Sequence, residues 1–249
     1  MTTPTNPPRV RFWDRLLDPS RIVVEAVQRE IVPAWRQVTE GESTVPVAAS
    51  IGLAIVLQVL LPDRIVQPVR WLFPVSAFLL LVVIIAANGK RFDRPSRLLR
   101  AATLLLILIM SAANTSAAAR LINDLLHGRG LRDAGDLILT GGAIWLTNVI
   151  IFALWYWMFD RGGPVARARG ARAYPDFLFP QMASGEVAKP GWRPEFFDYL
   201  YTSFTNATAF SPTDTMPMSR WAKLTMMLQS AVALLLAILV IARAVNVLR

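Results

Sequence analysis

The chain has 249 residues, 54% of them hydrophobic and only 17% charged, against about 45–50% and about 25% in ordinary soluble domains. It has no cysteine, which excludes disulfides, thiolate nucleophiles and thiolate metal sites. Its net charge of +9, in so apolar a chain, points to anionic lipid as the partner rather than nucleic acid.

The N-terminal stretch Met1–Pro8 is rich in Thr, Pro and Asn, a composition that favours disorder. No short apolar core follows a basic start, so no cleavable signal is expected. Ser20–Val38 reads as an amphipathic helix: Ile22, Val23, Ala26, Val27, Ile31, Ala34, Trp35 and Val38 recur at helical spacing, and Arg21, Glu25, Arg29, Glu30 and Arg36 fill the other side. Such a helix lies either in a headgroup layer or against a protein partner. Five apolar runs follow: Val45–Leu61, Trp71–Asn88, a third within Leu98–Leu126, Leu137–Phe159 and Leu224–Leu248. Each has roughly the 17–25 residues that cross about 30 Å of hydrocarbon. Trp71, Trp155, Trp157 and Trp221 fall near run ends, where indole suits the lipid–water boundary.

Arginine and lysine counts orient these runs. Residues 1–44 carry six basic residues, the loop from Gly89 five and the loop from Asp160 six, whereas the two intervening loops carry two each. Seventeen against four, alternating along the chain, predicts a cytoplasmic N-terminus and a cytoplasmic Asp160–Arg193 loop. The basic residues are nearly all arginine, the lysines being Lys90, Lys189 and Lys223. That bias suggests a high-GC bacterial genome, and with it the inner membrane.

Between the fourth and last runs lies Glu195–Phe210, EFFDYLYTSFTNATAF. It is aromatic and apolar, yet holds Asp198, Thr202, Ser203, Thr205, Asn206 and Thr208. Each buried hydroxyl or amide needs a partner in lipid. The segment is therefore either a short polar span packed on its neighbours or a re-entrant half-helix beside a water-filled cavity. Ser203–Asp214, then Pro217 and Trp221–Lys223, resembles the pore module of two-helix potassium channels, in which a pore helix runs into T-V-G-Y-G-D, a proline and a long inner helix. On that resemblance Thr208 falls on a pore-helix threonine, Ala209–Thr213 on the filter, Asp214 on its aspartate and Leu224–Leu248 on the inner helix. Ser211 and Thr213 stand where the family has glycines, and Pro212 where it has tyrosine. Glycine permits the backbone that turns carbonyls inward, and Pro212 fixes its own φ, so an ordinary potassium filter is excluded. The arginine count also places this module's leading loop on the opposite side from that family's. The whole chain further resembles bacterial multi-pass membrane families without an assigned activity.

The remaining polar residues of the runs read mostly as helix glue. The small-residue stretch Ser111–Ala119 allows close helix approach, and Gly141–Gly142, lacking any phosphate-loop context, reads as close packing. Arg243 lies near enough to the C-terminus to snorkel. His127, the one histidine, reads as a solvated loop residue. No nucleophile–base or metal constellation is present, so no enzyme, cofactor or metal is expected.

The sequence thus predicts an all-α, polytopic transmembrane helix bundle of five clear spans plus a short polar or re-entrant sixth segment. Its organisation is a cytoplasmic N-terminal segment at 1–44, a four-span domain at 45–159, an Arg-rich loop at 160–193 and the pore-loop-like segment with the last helix at 194–249. The leading functional expectation is a channel-like or transport-related protein. Its pore-like element comprises Thr205, Asn206, Thr208, Ala209, Phe210, Ser211, Pro212, Thr213 and Asp214 and requires a homo-oligomer. The alternative is a structural or accessory membrane protein with no permeation path, whose amphipathic helix and Arg-rich loop recruit lipid or a partner.

Overall fold

The computed structural model describes residues 34–66, 70–127, 133–184, 188–208 and 214–247. Helix accounts for 75% of them, in agreement with the all-α class. In chain order the helices are α1 (Thr44–Val59), the single turn α2 (Asp63–Val66), α3 (Leu72–Asn88), α4 (Arg97–Leu126) and α5 (Ala134–Phe159), then the short α6 (Pro164–Ala168) and α7 (Pro180–Ala183), then α8 (Phe196–Thr208) and α9 (Arg220–Val247). Their starts follow ordinary capping chemistry. The hydroxyl of Ser43 accepts from Val45 N, that of Ser96 from Leu99 N, and the Asp133 carboxylate from Asp136 N, each satisfying an otherwise orphaned first-turn amide.

Two small antiparallel ladders gather the connections at one end of the bundle. β1 (Glu42–Ser43) pairs with β2 (Arg91–Phe92), and β3 (Phe177–Leu178) with β4 (Met216–Pro217). Since α1 leaves the first ladder and α3 returns to it, these two helices run antiparallel, and α4 and α5 repeat the pattern. At the far end Arg64 meets Asp124 at 3.0 Å, tying the α1–α3 connection to the end of α4.

The polar segment doubles back. α8 starts at the ladder end, and β4 lies at that same end, paired with β3. Thr202 Oγ1 sits 3.1 Å from Thr215 Oγ1, so the returning strand passes alongside the helix it came from. α9 then runs parallel to α8: Asn206 donates to Met226 O and Ser230 to Asn206 O. Within the described residues, the segment thus starts and returns at the same end of the bundle. The start of α1 and the end of α9 lie at opposite ends of the bundle.

Five clear spans are not what the helices show. Among the described residues, three helices are long and apolar enough to cross a membrane by length and composition: Arg97–Leu126, Ala134–Gly162 and Arg220–Val247. α1 and α3 have 16 and 17 residues, which rise about 24–26 Å against about 30 Å of hydrocarbon. The apolar run of α1 outlasts its helix: Leu60 caps it, and Pro62 has no N–H with which to continue it. The Ser20–Val38 helix lies almost wholly outside the described residues, of which Ala34–Arg36 form a single 3-10 turn.

α5 is the hub, packing on α1, α4, α8 and α9. Its most apolar window is 61% buried, against 33% for that of α4 and 28% for that of α9. The outer helices accordingly turn large apolar side chains outward, among them Leu105 and Leu108 on α4 and Leu224 and Ile241 on α9. Gly141 explains one close contact: a Cβ there would lie 2.7 Å from Val240 Cγ2 on α9. Close packing thus holds for Gly141 but not for Gly142, where a Cβ would meet nothing within 4 Å.

Candidate functional site

The described part of the expected pore-like element is Thr205, Asn206, Thr208 and Asp214; Ala209, Phe210, Ser211, Pro212 and Thr213 lie outside the described residues. The polar side chains of α8 are engaged with the chain itself. Tyr156 Oη donates to Gln229 Oε1 at 2.6 Å, and Asn206 Nδ2 donates to the same oxygen at 2.8 Å. Gln229 Nε2 donates to Ser203 Oγ at 2.7 Å, and Ser203 Oγ passes a hydrogen bond on to Val149 O, also at 2.7 Å. Ser230 bonds the carbonyl and amide oxygens of Asn206. Thr205 and Thr208 bond carbonyls of their own helix. These groups form a neutral, closed network between α5, α8 and α9, which is how polar residues persist in an apolar setting. Asp198 and Asp214 do not meet: Asp198 caps its own helix by accepting from Glu195 N, and Asp214 is exposed.

The segment after α5 holds a second polar core that the sequence did not reveal. The described residues of the Arg-rich loop at 160–193 fold over the ladder end as a cap. Arg167 is 5% exposed and places Nε and Nη2 on Glu42 Oε1 at 3.1 and 2.7 Å. Its Nη1 donates to the carbonyls of Trp157 and Asp160, while Trp157 Nε1 donates to Glu42 Oε2 at 2.6 Å. Burial alone lowers the pKa of Arg167, but Glu42, with Tyr199 and Asp160 beside it, outweighs burial and shifts it upward, so the guanidinium stays charged. Asp160, fully buried, accepts from Tyr199 Oη at 2.6 Å and from the amides of Asp176 and Phe177. A carboxylate held by three donors is a satisfied one.

Arg161 completes the cap at a backbone φ of 52°, a region non-glycine residues seldom occupy. Its side chain fixes that conformation by donating to Trp35 O at 2.7 Å and Arg172 O at 3.1 Å, and its guanidinium lies 5.0 Å from the Trp35 ring centroid. Gly162 and Gly163 follow, both at positive φ, and Pro164 starts α6. This turn folds the cap back onto the end of α5. Asp176 accepts from Arg161 N and Trp221 Nε1, fastening the cap to α9.

Beside this cap lies a cavity of about 370 Å³. Its floor is Phe92, Trp157, Met158 and Val165, and its rim carries Arg94, Arg97, Arg100 and Arg169. Arg94 lies just before α4, Arg97 and Arg100 in its first turn, and Arg169 directly after α6. The four guanidinium-bearing residues are exposed and form no ion pair among the described residues. Four unneutralised cations over an apolar floor have the chemistry to engage an anion that carries a hydrocarbon body. No cluster of three or more His, Asp or Glu able to hold a metal ion occurs among the described residues. His127 is exposed, its Nδ1 2.8 Å from Asn123 O. Comparison with family models, with curated proteins and with solved structures finds nothing that matches.

Proposed function

We propose that the chain is a non-enzymatic accessory protein of the bacterial inner membrane that holds the phosphate of an anionic lipid in the arginine-rimmed cavity. The convergence of Arg94, Arg97, Arg100 and Arg169, none ion-paired among the described residues, on an apolar floor carries this reading. Basic pockets at the cytoplasmic ends of membrane helices suit anionic headgroups. On this reading the ladder end, with its arginine-rich connections and the N-terminus, faces the cytoplasm. α1, α3, α4, α5 and α9 all cross, the two shorter helices by local thinning of the bilayer. Native mass spectrometry tests it by comparing retained phosphatidylglycerol and cardiolipin with phosphatidylcholine. The parent retains the anionic lipids selectively. Replacing Arg94, Arg97, Arg100 and Arg169 together by Gln removes the selectivity, with about a tenfold loss of retained lipid. Selectivity unchanged by the four substitutions overturns the reading.

A second reading, a channel-like protein, draws on the re-entrant course of α8 and Asp214–Pro217. A half-helix entering and leaving at one end, followed by a long helix, is the arrangement that the resemblance of Ser203–Lys223 implies. A homo-oligomer would then enclose the path. Against it stands the use of Ser203 and Asn206 within the chain. Liposome ion flux through the parent, abolished in Thr208→Trp, would favour permeation over the accessory role. Absence of flux from a folded, reconstituted parent removes the channel reading.

A further inference from the structure

A cavity of about 410 Å³ lies between α4, α5 and α9. It is lined by Ser111, Asn114 and Thr115 of α4, by Asn148 and aromatic side chains of α5, and by Thr225 and Leu228 of α9. Asn114 and Asn148 are each only 4% exposed, yet Asn114 Oδ1 and Asn148 Nδ2 are occluded and have no hydrogen-bond partner. Exchanging the oxygen and nitrogen of either amide leaves an unanswered polar atom in the same place. Buried amides in that state are rare and costly, about 1–3 kcal/mol each. Both residues line the cavity, and their other amide atoms, Asn114 Nδ2 and Asn148 Oδ1, make no hydrogen bond among the described residues either, which leaves them for a partner within it.

The lining defines that partner. No charged side chain reaches the cavity, which excludes an ion or a phosphate. Two amides that can each donate or accept call for a group that does both. The remaining wall is apolar and aromatic: Phe152 and Trp155 of α5, with Trp155 stacked on Phe159 at a centroid distance of 5.1 Å. Water filling such a space would lack partners along that wall. The volume falls within the range of small-ligand sites, about 300–1,000 Å³. Leu228, which lines the cavity, is also exposed on the outer surface of the bundle, so the cavity opens sideways rather than toward an end.

We infer that this cavity binds a neutral, lipid-soluble molecule carrying a hydroxyl group, its oxygen seated between Asn114 and Asn148 and its hydrocarbon body against Phe152 and Trp155. The hydroxyl donates to one amide and accepts from the other. Sideways entry from the bilayer rests on the membrane placement proposed above; the hydrogen-bonding chemistry does not, and the site is separate from the arginine cavity.

The test uses the full chain in lipid nanodiscs and a diazirine-bearing alkylphenol as photolabel. The labelled peptides derive from α4, α5 or α9 around Asn114, Asn148 and Trp155. Unlabelled 4-octylphenol competes about tenfold better than its methyl ether, which accepts but cannot donate. Competition by 1-decanol as strong as by 4-octylphenol assigns aliphatic alcohols to the site, and weaker competition assigns ring-bearing ones. Combined Asn114→Leu and Asn148→Leu substitution erases the preference for the phenol over the ether. The comparison of phenol with ether in the parent needs no variant and so does not depend on how well the variants fold. Equal competition by the ether, or labelling elsewhere in the chain, overturns the inference.

Discussion

Two faces of one helix carry polar side chains into apolar surroundings, and they differ in whether those side chains are answered. Toward α8 and α9, Tyr156 of α5 enters a set with Ser203, Asn206, Gln229 and Ser230 in which every member bonds another helix. Toward α4, Asn148 and Asn114 line one cavity, and each leaves an atom unpaired. The first face is closed because α8 and α9 bring their own donors and acceptors to meet α5. The second is open because α4 offers mainly small residues there, with Trp155 Nε1 on Ser111 Oγ as its interhelical bond. A polar residue in an apolar helix binds helices together only when its partner is delivered; otherwise it marks a place that awaits something else.

Substitutions can break or sharpen this contrast. The largest effect belongs to the ionic cap, the extreme case of an answered group. Arg167→Ala strands Glu42 in a buried site and costs about 3–5 kcal/mol, read as loss of folded protein in denaturant titration of detergent-solubilised chain. Gln229→Leu opens the closed face by removing the acceptor of Tyr156 and Asn206 and the donor to Ser203. Its cost is about 2–4 kcal/mol in the same titration, since bonds between membrane helices average well under about 2 kcal/mol but stranded partners add to that. Asn148→Leu should be the mildest, within about 1 kcal/mol in either direction, because no in-chain partner is left unpaired. A loss at Asn148 as large as that at Gln229 would show that the two faces are energetically alike and dissolve the comparison.

Much of the helical frame was legible from hydropathy alone, because the long helices are apolar over windows of 18 residues or more. α4, α5 and α9 fall where the long apolar runs predict them. The shorter pair lies where predicted but α1 ends early: counting apolar residues from Val45 to Leu61 ignores where Leu60 caps the helix ahead of Pro62. The polar character of Phe196–Thr208 was also legible, but not what its side chains meet, since Gln229 lies 26 residues from Ser203 and Tyr156 73 residues from Gln229. The cap was the least legible. Arg161 and Arg167 counted as loop charges, whereas Glu42, the partner of Arg167, stands 125 residues away. The local sign was the Gly162–Gly163–Pro164 turn directly after the apolar run, which folds the basic segment back onto α5 instead of releasing it.

The distance between Glu42 and Arg167 has a consequence during synthesis. Glu42 leaves the ribosome 125 residues before the guanidinium that neutralises it, by which time α1, α3, α4 and α5 have all been made. Until then a nascent chain carries a bare carboxylate at the mouth of α1, and the indole of Trp157 reaches it only ten residues ahead of Arg167. The end of the bundle is therefore latched late, and a chain released early keeps Glu42 without its guanidinium partner, which distinguishes it from the finished molecule.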